Sequence, residues 1–294
     1  ALSSLGAHLA CYRGLPCEVI TRLHTHYQID AVFINRDYTP FSRQRDEAIA
    51  QCCHSLGIAL HCHADALLLE PEQALNTNGQ PYKVFTAFYQ RMHTIPVKQP
   101  QALCGQHFLT ASSDIDAWPV MPSVLVAGGR TQGCTQLETL TRCQEYAQYR
   151  DYPAMNVTSQ LSAHLKFGTL SVREVFYAIC QQLGGDHPLL RQLYWRDFFT
   201  HIAYHFPFVF GHAFIKKFDT VVWDNDLAQF QQWAQGMTGF PIVDAGMREL
   251  NASGFMHNRV RMIVASFLVK DLRISWRWGE RYFAQKLIDY DPCL

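Results

Sequence analysis

A buried strand, a charged helix and a second buried strand follow one another between Asp30 and Cys62, and few folds accept that order. Asp30-Ala31-Val32-Phe33-Ile34-Asn35 is a short apolar run, Asp37-Tyr38-Thr39-Pro40 is a turn, residues 41–56 are charged with helical spacing, and residues 58–62 are apolar again. Strand, helix and strand imply a parallel α/β layer. Asn76-Thr77-Asn78-Gly79 reads as a turn, and residues 82–92 resume an aromatic helical pattern. Proline, glycine and serine then interrupt any periodicity from Pro96 to Gly133, which predicts a surface connector. Beyond Gln136 the pattern is predominantly helical. The expected organisation is an α/β part over residues 1–95, a connector over 96–135 and a helical part over 136–294, with the chemistry in the last.

The 294 residues, 48% of them hydrophobic, suffice for one large core or two ordinary domains. Lysine plus arginine number 25 and aspartate plus glutamate 25, so a polyanionic partner has to meet a local basic face. Ten cysteines at irregular spacing, Cys52 and Cys53 adjacent, match neither a disulfide framework nor a zinc site. A reduced cytoplasmic protein is expected. No stretch has the length and charge-free character of a membrane span, so no membrane partner is expected either. The start at Ala1 and the abrupt ending Asp289-Tyr290-Asp291-Pro292-Cys293-Leu294 suggest missing sequence.

Four groups of residues carry candidate chemistry. Thr158-Ser159-Gln160-Leu161-Ser162 precedes a short helix, where Thr158 or Ser159 either caps the helix or joins Ser162 in holding an anion. Tyr146 and Arg150 stand one helical turn apart, as a cofactor-packing ring with its hydrogen-bonding cation or as a surface cation above a core aromatic. Gln192, Trp195 and Arg196 share a helix face that suits base stacking, edge recognition and a phosphate; the alternative is a buried indole and a surface arginine. Trp223 is either an electron relay at a cofactor's margin or a core indole, and Trp233, Trp276 and Trp278 ask for no functional explanation without spatial evidence.

The run from Thr238 to Arg277 is the richest. A glycine/proline turn leads into a helix in which Asp244 caps or pairs with Arg248, and a further helix follows Gly254. On it Asn258, Arg261 and Met262 fall on one side, a face suited to a polyaromatic ligand rather than to proton transfer, or simply to packing. Arg259 points elsewhere, toward a nucleic-acid phosphate. His201, His205 and His212 lack the partners of a metal site, so no metal is expected, and glycine signatures for dinucleotides and nucleophile elbows are absent.

These motifs together resemble the DNA photolyase and cryptochrome family, above all the bacterial class I cyclobutane pyrimidine dimer photolyases. Thr158 to Ser162, Trp195-Arg196-Asp197-Phe198, Thr238 to Leu250 and Asn258 to Arg277 carry the resemblance, which covers essentially the whole chain. It implies an α/β Rossmann-like N-terminal antenna domain followed by an all-α FAD-binding domain, both incomplete here. It assigns Tyr146, Arg150, Thr158, Ser159, Gln160, Leu161, Ser162, Arg196, Asn258 and Arg261 to FAD. It assigns Gln192, Leu193, Tyr194, Trp195, Arg196, Asp197, Phe198, Phe199, Asn258, Arg259 and Met262 to DNA and its lesion, and Trp223 to the surface end of an electron relay. Two further relay residues are expected past Asp289.

The implied activity is that of a deoxyribodipyrimidine photo-lyase acting on UV-damaged DNA as a monomer, associated with the nucleoid when bound. Folate or deazaflavin is implied as a second, antenna chromophore. A cryptochrome-like blue-light receptor and a non-catalytic DNA-binding fragment are the alternatives. Gln192 departs from the glutamate common in bacterial cyclobutane-dimer enzymes, whereas Asn258 and Met262 stand where relatives acting on the 6-4 lesion carry histidines.

Overall fold

The computed structural model describes residues 6–101, 108, 109, 111, 113, 114 and 127–294. Half of the stretch expected as a connector, residues 96–135, lies outside these.

The N-terminal part begins with α1 (Pro16–Tyr27), β1 (Ala31–Asn35), α2 (Pro40–Leu56) and β2 (Ala59–His63). The two strands run parallel, as expected, from Ala31 opposite Ala59 to Asn35 opposite His63, but no residue of either is buried, so they are not the buried strands that the apolar runs suggested. Helix α2 starts where Thr39 accepts a hydrogen bond from the Ser42 amide with Pro40 in the first turn, and stops at Gly57, whose φ of 70° a side chain would resist. Ile20, Ile49, Cys53 and Ile58 close a small core between both helices and the Val32/Leu60 face of the strands.

The helical part has two separate cores. The first joins α3 (Phe85–Met92), the turn Leu140–Cys143, α7 (Val172–Leu183) and α8 (Pro188–His205) around Phe88, Met92, Leu140, Ile179 and Phe198. Between α3 and α7 come α4 (Arg130–Glu138) and the short α5 (Tyr146–Tyr149) and α6 (Ser162–Lys166). Helix α4 begins inside the stretch read as connector. The second core gathers α9 (Leu227–Gln235), α10 (Pro241–Ser253), α11 (Asn258–Ser266) and α12 (Trp276–Lys286) around Trp233, Met247, Met256 and Val264. A wide π-helical turn, Phe267–Asp271, links α11 to α12.

Polar contacts tie the α/β part to the first helical core. Arg173 on α7 donates to Asp65 and to the Ala64 carbonyl at 3.0 and 2.6 Å. Arg36 meets Glu70 at 2.8 Å and Glu72 closer still, while Tyr204 on α8 donates to Glu72. The hydrogen bond from Arg36 holds the Glu72 carboxyl down at about 2. The two parts are therefore clamped through the loop after β2 rather than merely tethered.

Candidate functional site

A cavity of about 690 Å³ opens at the seam between the two helical cores, with Ile179, Leu189 and Leu193 on one side and Trp233, Leu268 and Phe283 on the other. Neither group of helices fills the seam, so both expose apolar walls to it.

Helix α8 presents Gln192, Leu193, Trp195, Arg196 and Phe199 to this cavity. The three- and four-residue steps between them keep one stripe facing inward. Tyr194, Asp197 and Phe198 fall on the other side, buried and away from the cavity wall. Asp197 accepts from the Leu68 and Leu69 amides at 2.9 and 3.2 Å, and Arg196 donates to the Ala66 carbonyl. The guanidinium expected at a phosphate thus grips the loop after β2 while still lining the cavity. Burial pushes the Asp197 carboxyl up to about 7 against the pull of Arg196 and the two amides.

Helix α11 contributes Asn258, Arg261 and Met262. Its position follows from Asp244, which accepts from the Thr238 amide and hydroxyl and the Gly239 amide, pinning the turn that starts α10. Asp244 neither caps α10 nor forms an ion pair with Arg248. Gly246 then lets α10 approach α11, since a Cβ there would lie 2.3 Å from Val260 Cγ1. Arg261 donates to the Met256 carbonyl at 2.8 Å and to buried Asp289 at 2.9 Å. Arg259 does not line the cavity; its guanidinium pairs with Asp151 at 2.5 Å and also donates to Met262 Sδ at 3.6 Å.

The hydroxyl segment departs from the capping alternative. Leu161 occupies the start of α6, and neither Thr158 nor Ser159 supplies a side-chain cap. The backbone is instead bent by Gln160 at φ 53°, and Arg142 holds the Ser159 carbonyl at 2.7 Å. Ser159, Leu161 and Ser162 line the cavity; Thr158 and Gln160 do not. Tyr146 is buried in the first core with the Arg150 guanidinium 5.9 Å from its ring centre, and neither reaches the cavity.

Lys166, Asp289 and Asp291 are the residues that the sequence did not single out. Lys166 stands one turn beyond Ser162 and pairs with Asp291 at 3.0 Å in the cavity wall. The signal was available in that spacing, but its acidic partner is remote in sequence. Most charges in the wall have a polar partner: Lys166 pairs with Asp291 and Arg261 with Asp289, while Glu280 accepts from the Tyr290 hydroxyl. Paired charges of this kind offer a bound molecule fixed fields rather than free acids and bases. Asp289 Oδ1 is the exception, buried without a partner in this wall and available to a donor on a bound molecule. Hydroxyls and an ammonium beside an apolar slot suit a ligand with a phosphate tail and a flat ring system, as FAD has.

Trp223 lies apart, in a second groove of about 420 Å³. Trp276, which sequence alone gave no role, lines both this groove and the main cavity, as does Val269.

Comparison with known proteins agrees with this architecture. Residues 1–103 match the DNA photolyase family and residues 189–294 the FAD binding domain of DNA photolyase. The chain is 37% identical to the deoxyribodipyrimidine photo-lyase of Alkalihalophilus pseudofirmus, over 90% of this chain and 59% of that protein. It is 34% identical to the Escherichia coli enzyme of the same name, over 93% and 61%. An archaeal photolyase from Sulfolobus tokodaii, solved with two FAD molecules, superposes with a TM-score of 0.86 at 40% identity, covering 99% of this chain and 65% of its own. A bacterial class III photolyase from Agrobacterium tumefaciens gives 0.89 at 32%, with coverage of 99% and 65%. The chain thus spans less than two thirds of these relatives' length. No helix among the described residues is long and apolar enough to cross a membrane. With an α/β part that matches the photolyase antenna domain and a helical part that matches its FAD-binding domain, the chain belongs to the DNA photolyase/cryptochrome family.

Proposed function

We propose that this protein acts as a deoxyribodipyrimidine photo-lyase of the bacterial class I type, splitting cyclobutane pyrimidine dimers in UV-damaged DNA with light. The observation that carries the reading is the single cavity shared by Ser159 and Ser162, Arg261 with Asp289, and the pair Trp195 and Met262. When bound, reduced and excited FAD supplies the electron that opens the dimer. Ser159, Ser162 and Lys166 would hold its phosphates, and Arg261 with Asp289 would border its ring system.

Trp195 offers a stacking plate to the extruded lesion, Gln192 a donor and an acceptor for a base edge, and Met262, 53% exposed, an adaptable apolar contact. Asn258 and Met262 favour the cyclobutane lesion, because neither supplies the imidazole that 6-4 chemistry needs. Arg259, already balanced by Asp151, contacts DNA phosphate by exchanging that carboxylate for it. Trp223 and Trp276 form the outer part of an electron relay, a revision of the expectation that only Trp223 lies within this chain. A folate or deazaflavin antenna belongs with the α/β part. DNA is the partner of a monomer in the cytoplasm.

A light-receptor role is favoured by one finding: a cryptochrome from Synechocystis superposes with a TM-score of 0.84 at 29% identity. The two readings separate in a repair assay on an oligonucleotide with one thymine dimer, with the chain loaded with FAD and chemically reduced. Dimer loss under blue light and none in the dark supports the photo-lyase. A reduced, flavin-loaded protein that binds the oligonucleotide and leaves the dimer intact under light overturns it.

A further inference from the structure

The second groove differs in character from the main cavity. Phe214, Phe218, Trp223 and Trp276 give it four aromatic rings, His212 is the only ionisable side chain in its lining, and the remaining lining residues are aliphatic. Its volume of about 420 Å³ falls in the range of small-molecule sites, roughly 300–1,000 Å³. No lysine or arginine lines the wall among the described residues; Arg277 and Lys217 lie over the Trp276 and Phe218 rings, and Arg277 is already paired with Asp219, so the wall itself favours an uncharged ligand. A flat, neutral arene suits the rings.

The His212 side chain is 64% exposed but has a fixed carboxylate beside it. Its Nδ1 lies 3.3 Å from Asp219 Oδ2. Asp219 is fixed in turn by the Ala213 amide at 2.9 Å and by Arg277 at 3.2 Å, and the Ala213 amide foremost keeps its carboxyl below the usual range. An imidazole set against a fixed carboxylate is equipped to take a proton from a hydroxyl.

We propose that this groove docks a neutral quinol, a dihydroxyarene that packs on Trp223 and Trp276, hydrogen-bonds one hydroxyl to His212, and restores the oxidised tryptophan at the outer end of the relay. The proposal rests on the relay reading given above. The step balances: the quinol gives one electron to the Trp223 radical cation and one proton to His212, leaving neutral indole, imidazolium and a neutral aryloxyl radical. Two such radicals then disproportionate to quinone and quinol. Arg277 places its guanidinium carbon 4.8 Å from the Trp276 ring centre, which disfavours a positive hole there and leaves it on Trp223, beside the donor.

The probe is 2-methyl-1,4-naphthohydroquinone under argon. In the dark, with flavin-free protein, it is expected to quench tryptophan fluorescence saturably, and Ala213→Leu, which fills the groove, is expected to abolish the saturable part. Quenching that is linear in quinol, or equal in both proteins, sinks the docking site whether or not the relay operates. With FAD-loaded protein after a light flash, the recovery rate of oxidised tryptophan is expected to saturate with quinol. Dithiothreitol, a collisional donor, is expected to give a linear rate that ignores Ala213→Leu. His212→Gln keeps a hydrogen bonder but no base, so half-saturation is expected to hold while the maximal rate falls at least about tenfold. An unchanged maximal rate removes His212 from the step. If no oxidised tryptophan forms with either donor, the relay reading fails and the electron-delivery role falls with it, while dark binding still reports on the groove.

Discussion

Trp195 lies flat on Phe85, with ring centres 3.5 Å apart and planes 7° from parallel. Phe85 comes from α3 and is buried, whereas Trp195 lines the cavity, so the phenyl ring backs the indole from the side away from the cavity. Arg191 sits over Phe85 at 5.3 Å, and Phe199 flanks the indole at 5.4 Å. The plate proposed for the lesion is therefore set before any ligand arrives.

That arrangement makes Phe85 a positioning residue. Phe85→Ala is expected to lower stability by about 3–5 kcal/mol, as for other buried phenylalanines, read from urea unfolding. Phe85→Leu keeps apolar volume but loses the flat face. It is expected to cost less, about 1–2 kcal/mol, while still weakening binding to a dimer-bearing oligonucleotide in fluorescence anisotropy. Undiminished lesion affinity in Phe85→Leu would show that the indole keeps its orientation without the stack.

Asp197 and His201, one turn apart on α8, titrate with opposite consequences. Asp197 has a folded value near 7, above the ordinary 3.8, so the native state binds the extra proton and the group's contribution to stability falls as pH rises from about 4 to 7. His201 is pushed down to about 4, chiefly by burial and then by His205, so its contribution is lost as pH falls from 6.5 toward 4. Arg196 and Glu70 are the charges acting on Asp197. Asp197→Asn mimics the protonated acid and is expected to fold well. Relative to it, wild type should lose stability on the order of 4 kcal/mol between pH 4 and 8. Parallel stability curves for the two proteins would rule out the elevated carboxyl.

Gly246 sets the distance between α10 and α11, and so the position of Asn258, Arg261 and Met262. An added methyl would meet Val260 Cγ1 at 2.3 Å and Val264 Cγ1 at 3.2 Å. Gly246→Ala gains helix propensity but overpacks this contact, for a net loss of about 1–3 kcal/mol. Flavin retention should fall with it, because Arg261 moves with α11. Full retention at reduced stability would place the strain elsewhere.

The parts of this molecule that were legible in the sequence are those written in local pattern. The apolar runs at 30–35 and 58–62 and the turn at 37–40 place the parallel strands to within a residue or two. The stripe of Gln192, Trp195 and Arg196 follows from helical spacing alone. What escaped was tertiary pairing. Nothing near Asp197 announces that its partners are the Leu68 and Leu69 amides, and the match of Lys166 with Asp291 joins distant segments. The hydroxyls at Thr158 and Ser159 misled as caps because Arg142, remote from their turn, holds the Ser159 carbonyl and bends the chain differently.

Trp276 is the aromatic side chain that the groove and the cavity share. It stands with Val269 in the wall common to the cavity and the groove, while Trp223 touches only the groove, so in the proposed relay Trp276 is the oxidisable side chain shared by both. Trp276→Phe keeps an apolar ring in the wall but is far harder to oxidise. Light-driven reduction of bound oxidised flavin is expected to slow at least about tenfold, equivalent to about 1.4 kcal/mol of barrier, with flavin content unchanged. Repair by protein reduced with dithionite should be unaffected, since that electron never crosses the wall. Arg277→Gln probes the same wall from the other side: removing the charge beside Trp276 makes a hole there less costly, and a larger share of the oxidised tryptophan signal should survive in Trp223→Phe than in the same variant with Arg277 intact. Transient absorption separates these outcomes, and photoreduction at the normal rate in Trp276→Phe would mean that electrons enter the cavity by another route.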